Sequence, residues 1–397
     1  MINILLLIGI AVLLGFGGGK YVEKIKSPQV VGFILAGFIL GASVLRVFDT
    51  ALVEQLDILS YLALAFIGFD VGGEMTIKLF RKLGKSIVII TVLEAMGAFV
   101  LVASAVFLYT REVHTALIFG GLACATAPAA TVVVLREYKA SGPLTSTLFA
   151  VVALDDAIAI TIYSFASAFS KSFIGGEVSF SQVVIVPFIE IIGSLGLGLV
   201  IGFVLSRLFI RMHDPKELLI VGFGGLLVCS GLALELGFSL ILANMALGMT
   251  LVNLLEGDKS AFNSVMDMAP PIYIIFFFLV GARLQLSLLT QLGGLGLIYI
   301  VFRISGKTVG AYTGARVSGA DENVQKYLGL CLLPQGGVAV GLSIQALHEF
   351  KTFGPAGVQL GLLAVNVIAA TTFVLEMIGP PSTRYAIIKA GESHIEK

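Results

Sequence analysis

The sequence predicts an all-helical protein that crosses a membrane many times, and three observations carry that reading. Of its 397 residues 57% are hydrophobic and 13% charged, with a mean hydropathy of +1.02, whereas an average soluble domain carries about 25% charged residues. Apolar runs near the roughly 20 residues that a bilayer-spanning helix needs fill almost the whole chain. The polar stretches between them are short, so residues 1–397 read as one compact membrane unit and not as a string of domains.

About thirteen spans follow from that length rule, beginning near Ile2, Pro28, Ala51, Ser86, Thr115, Leu144, Val183, Leu218, Phe238, Ala269, Leu292, Val324 and Ala356. Residues 2–14 lack the basic start and small-residue cleavage site of a signal peptide and are read as the first span. The string Gly15-Phe16-Gly17-Gly18-Gly19-Lys20 hints at a phosphate loop. Leu14 stands where that loop needs its first glycine, however, and Tyr21 where it needs Ser or Thr, so close helix packing is expected. Most of the 25 Lys and Arg fall on one alternating set of loops. That bias places the amino terminus outside and the carboxy terminus in the cytoplasm of an inner or plasma membrane.

Net charge is zero, which gives no field for nucleic acid. The three cysteines, Cys124, Cys229 and Cys331, sit inside apolar runs and read as small packing residues, not a disulfide framework. Asn244 on the ninth span is expected to make an interhelical hydrogen bond.

Thirteen spans divide as six, one and six, which inverts the second half relative to the first, the plan on which many transporters build a midplane site. Matching features recur. The fifth span is interrupted by Cys124-Ala125-Thr126-Ala127-Pro128-Ala129-Ala130-Thr131, and the twelfth by Cys331-Leu332-Leu333-Pro334-Gln335-Gly336-Gly337. Proline and small residues cannot sustain a regular helix. Two discontinuous helices are therefore expected, crossing at their breaks, with half-helix amino termini converging there. Thr126 and Thr131 either offer hydroxyl oxygen to a cation or bond to the helix backbone.

Within the sixth span, Asp155 and Asp156 lie side by side in an apolar run. An ionised carboxylate in hydrocarbon costs several kcal/mol, so buried charge points to function. Two adjacent acids that compete for protons and for a hard monovalent cation have the chemistry of exchange. The eleventh span supplies counter-charge in Arg303-Ile304-Ser305-Gly306-Lys307-Thr308-Val309-Gly310. Lys307 is expected to pair with Asp155, whereas Arg303 reaches the headgroups or Glu94 of the fourth span, itself a candidate accessory acid.

The double aspartate, the Gly306-Lys307-Thr308-Val309-Gly310 string and the two Pro-containing breaks together resemble the monovalent cation/proton antiporter superfamily, most of all its electrogenic branch of NapA- and NhaA-like sodium/proton antiporters. The resemblance implies a core domain over about 51–169 and 286–379 and a dimerisation domain over about 1–45 and 181–284. It further implies a homodimer and an elevator-like exchange of Na+ or Li+ for protons, with no cofactor and no enzymatic activity. Asp156 would bind the ion, and Asp155 would partner Lys307. Ala127 stands where many relatives carry Asp or Ser, which removes one possible oxygen ligand and leaves K+/proton exchange as an alternative. A passive cation channel and a sodium-coupled organic-anion symporter are the rivals from other classes.

Overall fold

The computed structural model describes residues 3–24, 29–127, 131, 134–135, 138–174, 185–212, 214–255, 260–284 and 293–394. Their helices are α1 (Ile4–Glu23), α2 (Gln29–Leu40), α3 (Thr50–Gln55), α4 (Asp57–Glu74), α5 (Ile77–Thr110), α6 (Val113–Ala123), α7 (Pro143–Ile174) and α8 (Val186–Phe209). They continue with α9 (Pro215–Glu235), α10 (Leu240–Leu254), α11 (Ser260–Met266), α12 (Ala269–Arg283), α13 (Gly293–Val317), α14 (Glu322–Cys331), α15 (Gly337–Phe350) and α16 (Gly354–Ala390). Each expected span has a helix starting at or near its first residue.

By length and apolarity alone, 6 helical stretches among the described residues suffice to cross a bilayer, or 7 if α11 and α12, bent by 41°, count as one. Among the described residues α2, α6 and α10 are shorter apolar helices. Local chemistry sets several starts: the carboxylates of Asp49, Asp214 and Asp321 accept backbone N–H groups at the first turns of α3, α9 and α14, satisfying donors that a helix leaves open. Leu5, Leu13 and Ile220 are 77%, 72% and 67% exposed. Large apolar side chains displayed so widely belong against lipid.

The chain packs as two compact units. The first comprises Met1–Gly18, Phe33–Arg81 and Glu177–Arg283. Its centre is α10, where glycines bring backbones together: a Cβ on Gly72 of α4 would lie 2.0 Å from the Met245 carbonyl oxygen, and one on Gly198 of α8 would lie 2.1 Å from that of Ala243. This close approach holds α4 in the first unit. Asn244 donates to Ser230 Oγ on α9 at 3.0 Å, the interhelical bond anticipated for it. Gly15 abuts Ile274 within the helical stretch of α1, so the glycine-rich string is packing and not a loop.

The second unit comprises Gly19–Gly32, Lys82–Gly176 and Leu284–Lys397. Leu144, Leu148 and Val151 of α7, Ala311 and Ala315 of α13, Leu328 of α14 and Ile387 of α16 share one core. Gly84, with φ +72°, interrupts α5 close to where the second segment of this unit begins at Lys82. Beyond that break α5 meets α13 at backbone distance. A Cβ on Gly310 would lie 2.6 Å from Glu94 Cα, one on Gly306 2.6 Å from Ala98 Cα, and one on Gly97 2.6 Å from the Gly306 carbonyl oxygen. Small residues spaced by one turn permit such an approach between membrane helices. Gly310→Leu is expected to force α5 and α13 apart at about 1–3 kcal/mol, read as a lower thermal unfolding midpoint in detergent. Gly17→Leu, with nothing within 4 Å of its Cβ position, is the control that leaves the midpoint unchanged.

Candidate functional site

The second unit brings the two interrupted spans together. After α6 ends at Ala123 and α14 at Cys331, the chain leaves helical geometry at Cys124–Ala127 and Leu332–Gly336. The breaks bond to each other: Ala127 N donates to the Pro334 carbonyl at 3.0 Å, and Thr131 Oγ1 to the Cys331 carbonyl at 3.0 Å. Gln335 donates through Nε2 to the Leu122 carbonyl at 2.9 Å and to the Tyr299 hydroxyl at 2.7 Å. Gly336 is required at the contact, since a Cβ there would lie 2.9 Å from Ala127 Cβ. Gly337 opens α15. Pro128 lies outside the described residues.

A broken helix frees carbonyls that no water reaches in hydrocarbon, and two cations from α13 take them. Arg303 is fully buried and donates to the carbonyls of Ala125 at 2.6 Å, Leu333 at 2.7 Å and Pro334 at 3.3 Å. It meets neither the headgroups nor Glu94, the two destinations expected of it. The reason is geometric: a planar fork of donors can bridge several carbonyls at once, and the negative ends of two half-helices outbid a distant interface. Lys307, one turn further along, donates to the Cys124 carbonyl.

Lys307 also sits between two acids. Its Nζ lies 2.7 Å from Glu94 Oε2 and 3.4 Å from both Asp155 oxygens. Lys307, Glu94 and Asp155 are all at most 1% exposed. The sequence paired the lysine with Asp155, and the structure adds Glu94 as the nearer partner. The cause is the glycine seam between α5 and α13, which no composition rule discloses. Asp156, the next residue on α7, is only partly buried and points about 100° away from Asp155 around the helix. Thr126 is buried and its hydroxyl meets no hydrogen-bond partner among the described residues. Thr131 instead joins the two breaks. Among the described residues no group of three or more His, Cys, Asp or Glu forms a metal site.

One acid escaped the sequence reading. Glu376 of α16 is 4% exposed, and its carboxylate lies beside Gly336: a Cβ there would be 3.1 Å from Glu376 Oε1. An acid in the middle of the last apolar run was the signal that could have found it.

Comparison with known proteins agrees with this architecture. Among curated proteins, the chain is 23% identical over 367 residues to the ammonium/H+ antiporter subunit AmhT of Alkalihalophilus pseudofirmus, covering 89% of this chain and 90% of that one. It is 23% identical over 408 residues to the high-affinity Na+/H+ antiporter NhaS3 of Synechocystis, covering 92% and 86%. The fold matches the sodium proton antiporter MjNhaP1 of Methanocaldococcus jannaschii with a TM-score of 0.78 at 19% identity, over 98% of both chains. The model of the family described as sodium/hydrogen exchanger, transmembrane, matches residues 8–383, nearly the whole chain, and the protein therefore belongs to that family of multi-pass monovalent cation/proton antiporters.

Proposed function

We propose that this protein exchanges Na+ or Li+ for protons at Asp155 and Asp156, and that it does so electrogenically, with more than one proton moving per cation. The observation that carries the reading is the sealed cluster of Lys307, Glu94 and Asp155 beside the crossing of the two breaks. Asp156 is assigned to the travelling ion, because it stands next to this cluster without being sealed inside it. A cation arriving at Asp156 displaces its proton, since both compete for one carboxylate. Lys307 supplies the second titratable step: sharing two acids at unequal distances, it can pass between Glu94 and Asp155 as the local charge changes.

Under this reading the second compact unit carries the ion in an elevator-like movement. The first unit provides the frame and the homodimer contact, through α1 and α8 to α10. The amino terminus lies outside and the carboxy terminus in the cytoplasm, in an inner or plasma membrane. The partners are the monovalent cation, the proton and the bilayer, with no resident cofactor.

A second reading concerns the cation alone. Ala127 gives the first break no side-chain oxygen at its centre, and AmhT carries ammonium in its name, so K+ or ammonium is the alternative cargo. An organic-anion symporter fits less well, because the cation nearest the crossing, Arg303, is committed to three carbonyls. The test is proton flux in proteoliposomes under imposed gradients of Na+, Li+, K+ or ammonium. An antiporter drives protons uphill with at least one of them, and an electrogenic one also responds to membrane potential. Cation flux that drags no protons identifies a channel and ends the exchanger reading.

A further inference from the structure

A further buried acid, Glu376, stands at the crossing beside Gly336. Two half-helices end there, and their carboxy-terminal carbonyls are met by Arg303 and Lys307. The opposite pole is the amino terminus of α15, a helix of 14 residues whose N-cap, Gly336, has no side chain to accept its free N–H groups. Such an end carries about half a positive charge, and Arg303 adds a full one. The acid placed against it is Glu376, 4% exposed, with Oε1 beside Gly336. Its second oxygen, Oε2, is buried with no hydrogen-bond partner among the described residues, as is the hydroxyl of Thr372 one turn earlier on α16. Packing fixes this placement: Gly379 of α16 lies against the Pro334 ring, where a Cβ would come within 2.3 Å.

We propose that Glu376 is a positioning residue for exchange: an ionised carboxylate that balances Arg303 and the amino terminus of α15, and so keeps the crossing receptive to a cation. Asp155 and Asp156 are then released from that duty and remain available to the ion and to Lys307. The inference rests on the exchanger reading for its transport consequence, but the charge on Glu376 can be read independently. In a low-dielectric site, removing one nearby negative charge weakens cation binding by about 10-fold.

Two measurements decide it. In proteoliposomes at pH 8, E376Q is expected to raise the half-saturating cation concentration about 10-fold while maximal flux changes little, and E376D is expected to restore the wild-type value. A variant that merely loosened the packing would lower maximal flux instead, and that outcome, like an unchanged half-saturation, overturns the inference. The infrared difference between wild type and E376D needs no transport and no E376Q protein. Paired bands of an ionised carboxylate support the proposal, and paired bands of a protonated carboxyl group overturn it. Wild-type vesicles that exchange no cation for protons sink the exchanger reading and leave the infrared spectrum to decide the charge of Glu376. Exchange by wild type with E376Q indistinguishable from it sinks this inference alone.

Discussion

Asp156→Asn is expected to reduce cation-driven proton flux in proteoliposomes by at least about 100-fold, the scale lost when a positioned proton-carrying group is removed. The substitution keeps the shape of the side chain and removes its charge, and Asp156 is only partly buried, so the fold should survive and the thermal midpoint should hold. Asp155→Asn is expected to be milder, because Lys307 retains Glu94 at 2.7 Å. A normal flux through Asp156→Asn would place the travelling ion elsewhere and remove the proposed site.

Lys307→Met carries the largest expected cost in stability. The lysine is fully buried between Glu94 and Asp155 and also holds the Cys124 carbonyl. Its loss strands two carboxylates in a dry interior, and breaking a buried pair in this way costs about 3–5 kcal/mol. The single variant should therefore show a markedly lower unfolding midpoint in detergent. Adding Glu94→Gln removes one stranded charge and should recover a substantial part of the loss. Equal midpoints for wild type and Lys307→Met would mean that the two acids do not need the lysine's charge, and the switching role assigned to it would fall with that result.

Much of this molecule was legible in its residues. Uninterrupted apolar runs have one stable fate in a bilayer, where every backbone group must be satisfied within its own helix, so the helices begin close to where hydropathy placed them. Asp155 and Lys307 stood out because charge in hydrocarbon is costly whatever the fold. The breaks at Cys124–Ala127 and Leu332–Gly336 stood out because proline and glycine interrupt helices locally.

Partner choice was less legible. Arg303 looked like a snorkelling side chain because its targets are backbone carbonyls, and every residue has one. Only the crossing determines which carbonyls are left free. Glu94 looked accessory because its approach to Lys307 depends on Gly97, Gly306 and Gly310 meeting across two helices. Glu392 offered no signal at all in the tail. Yet its carboxylate accepts from Leu144 N at 2.7 Å, Thr145 N at 2.8 Å and Thr145 Oγ1 at 2.7 Å, capping α7, the helix that carries both aspartates.

The sequence by itself determined an all-helical membrane protein, two interrupted spans, and a pair of acids with a lysine able to answer them. These follow from properties that each residue carries with it: transfer cost, backbone freedom and charge. The tertiary structure alone decided that Lys307 leans toward Glu94, that Arg303 closes the helix ends, and that Glu376 faces the opposite pole. Those choices turn on distances of a few ångströms between segments far apart in the chain, and electrostatic energy in a dry interior changes steeply over that range.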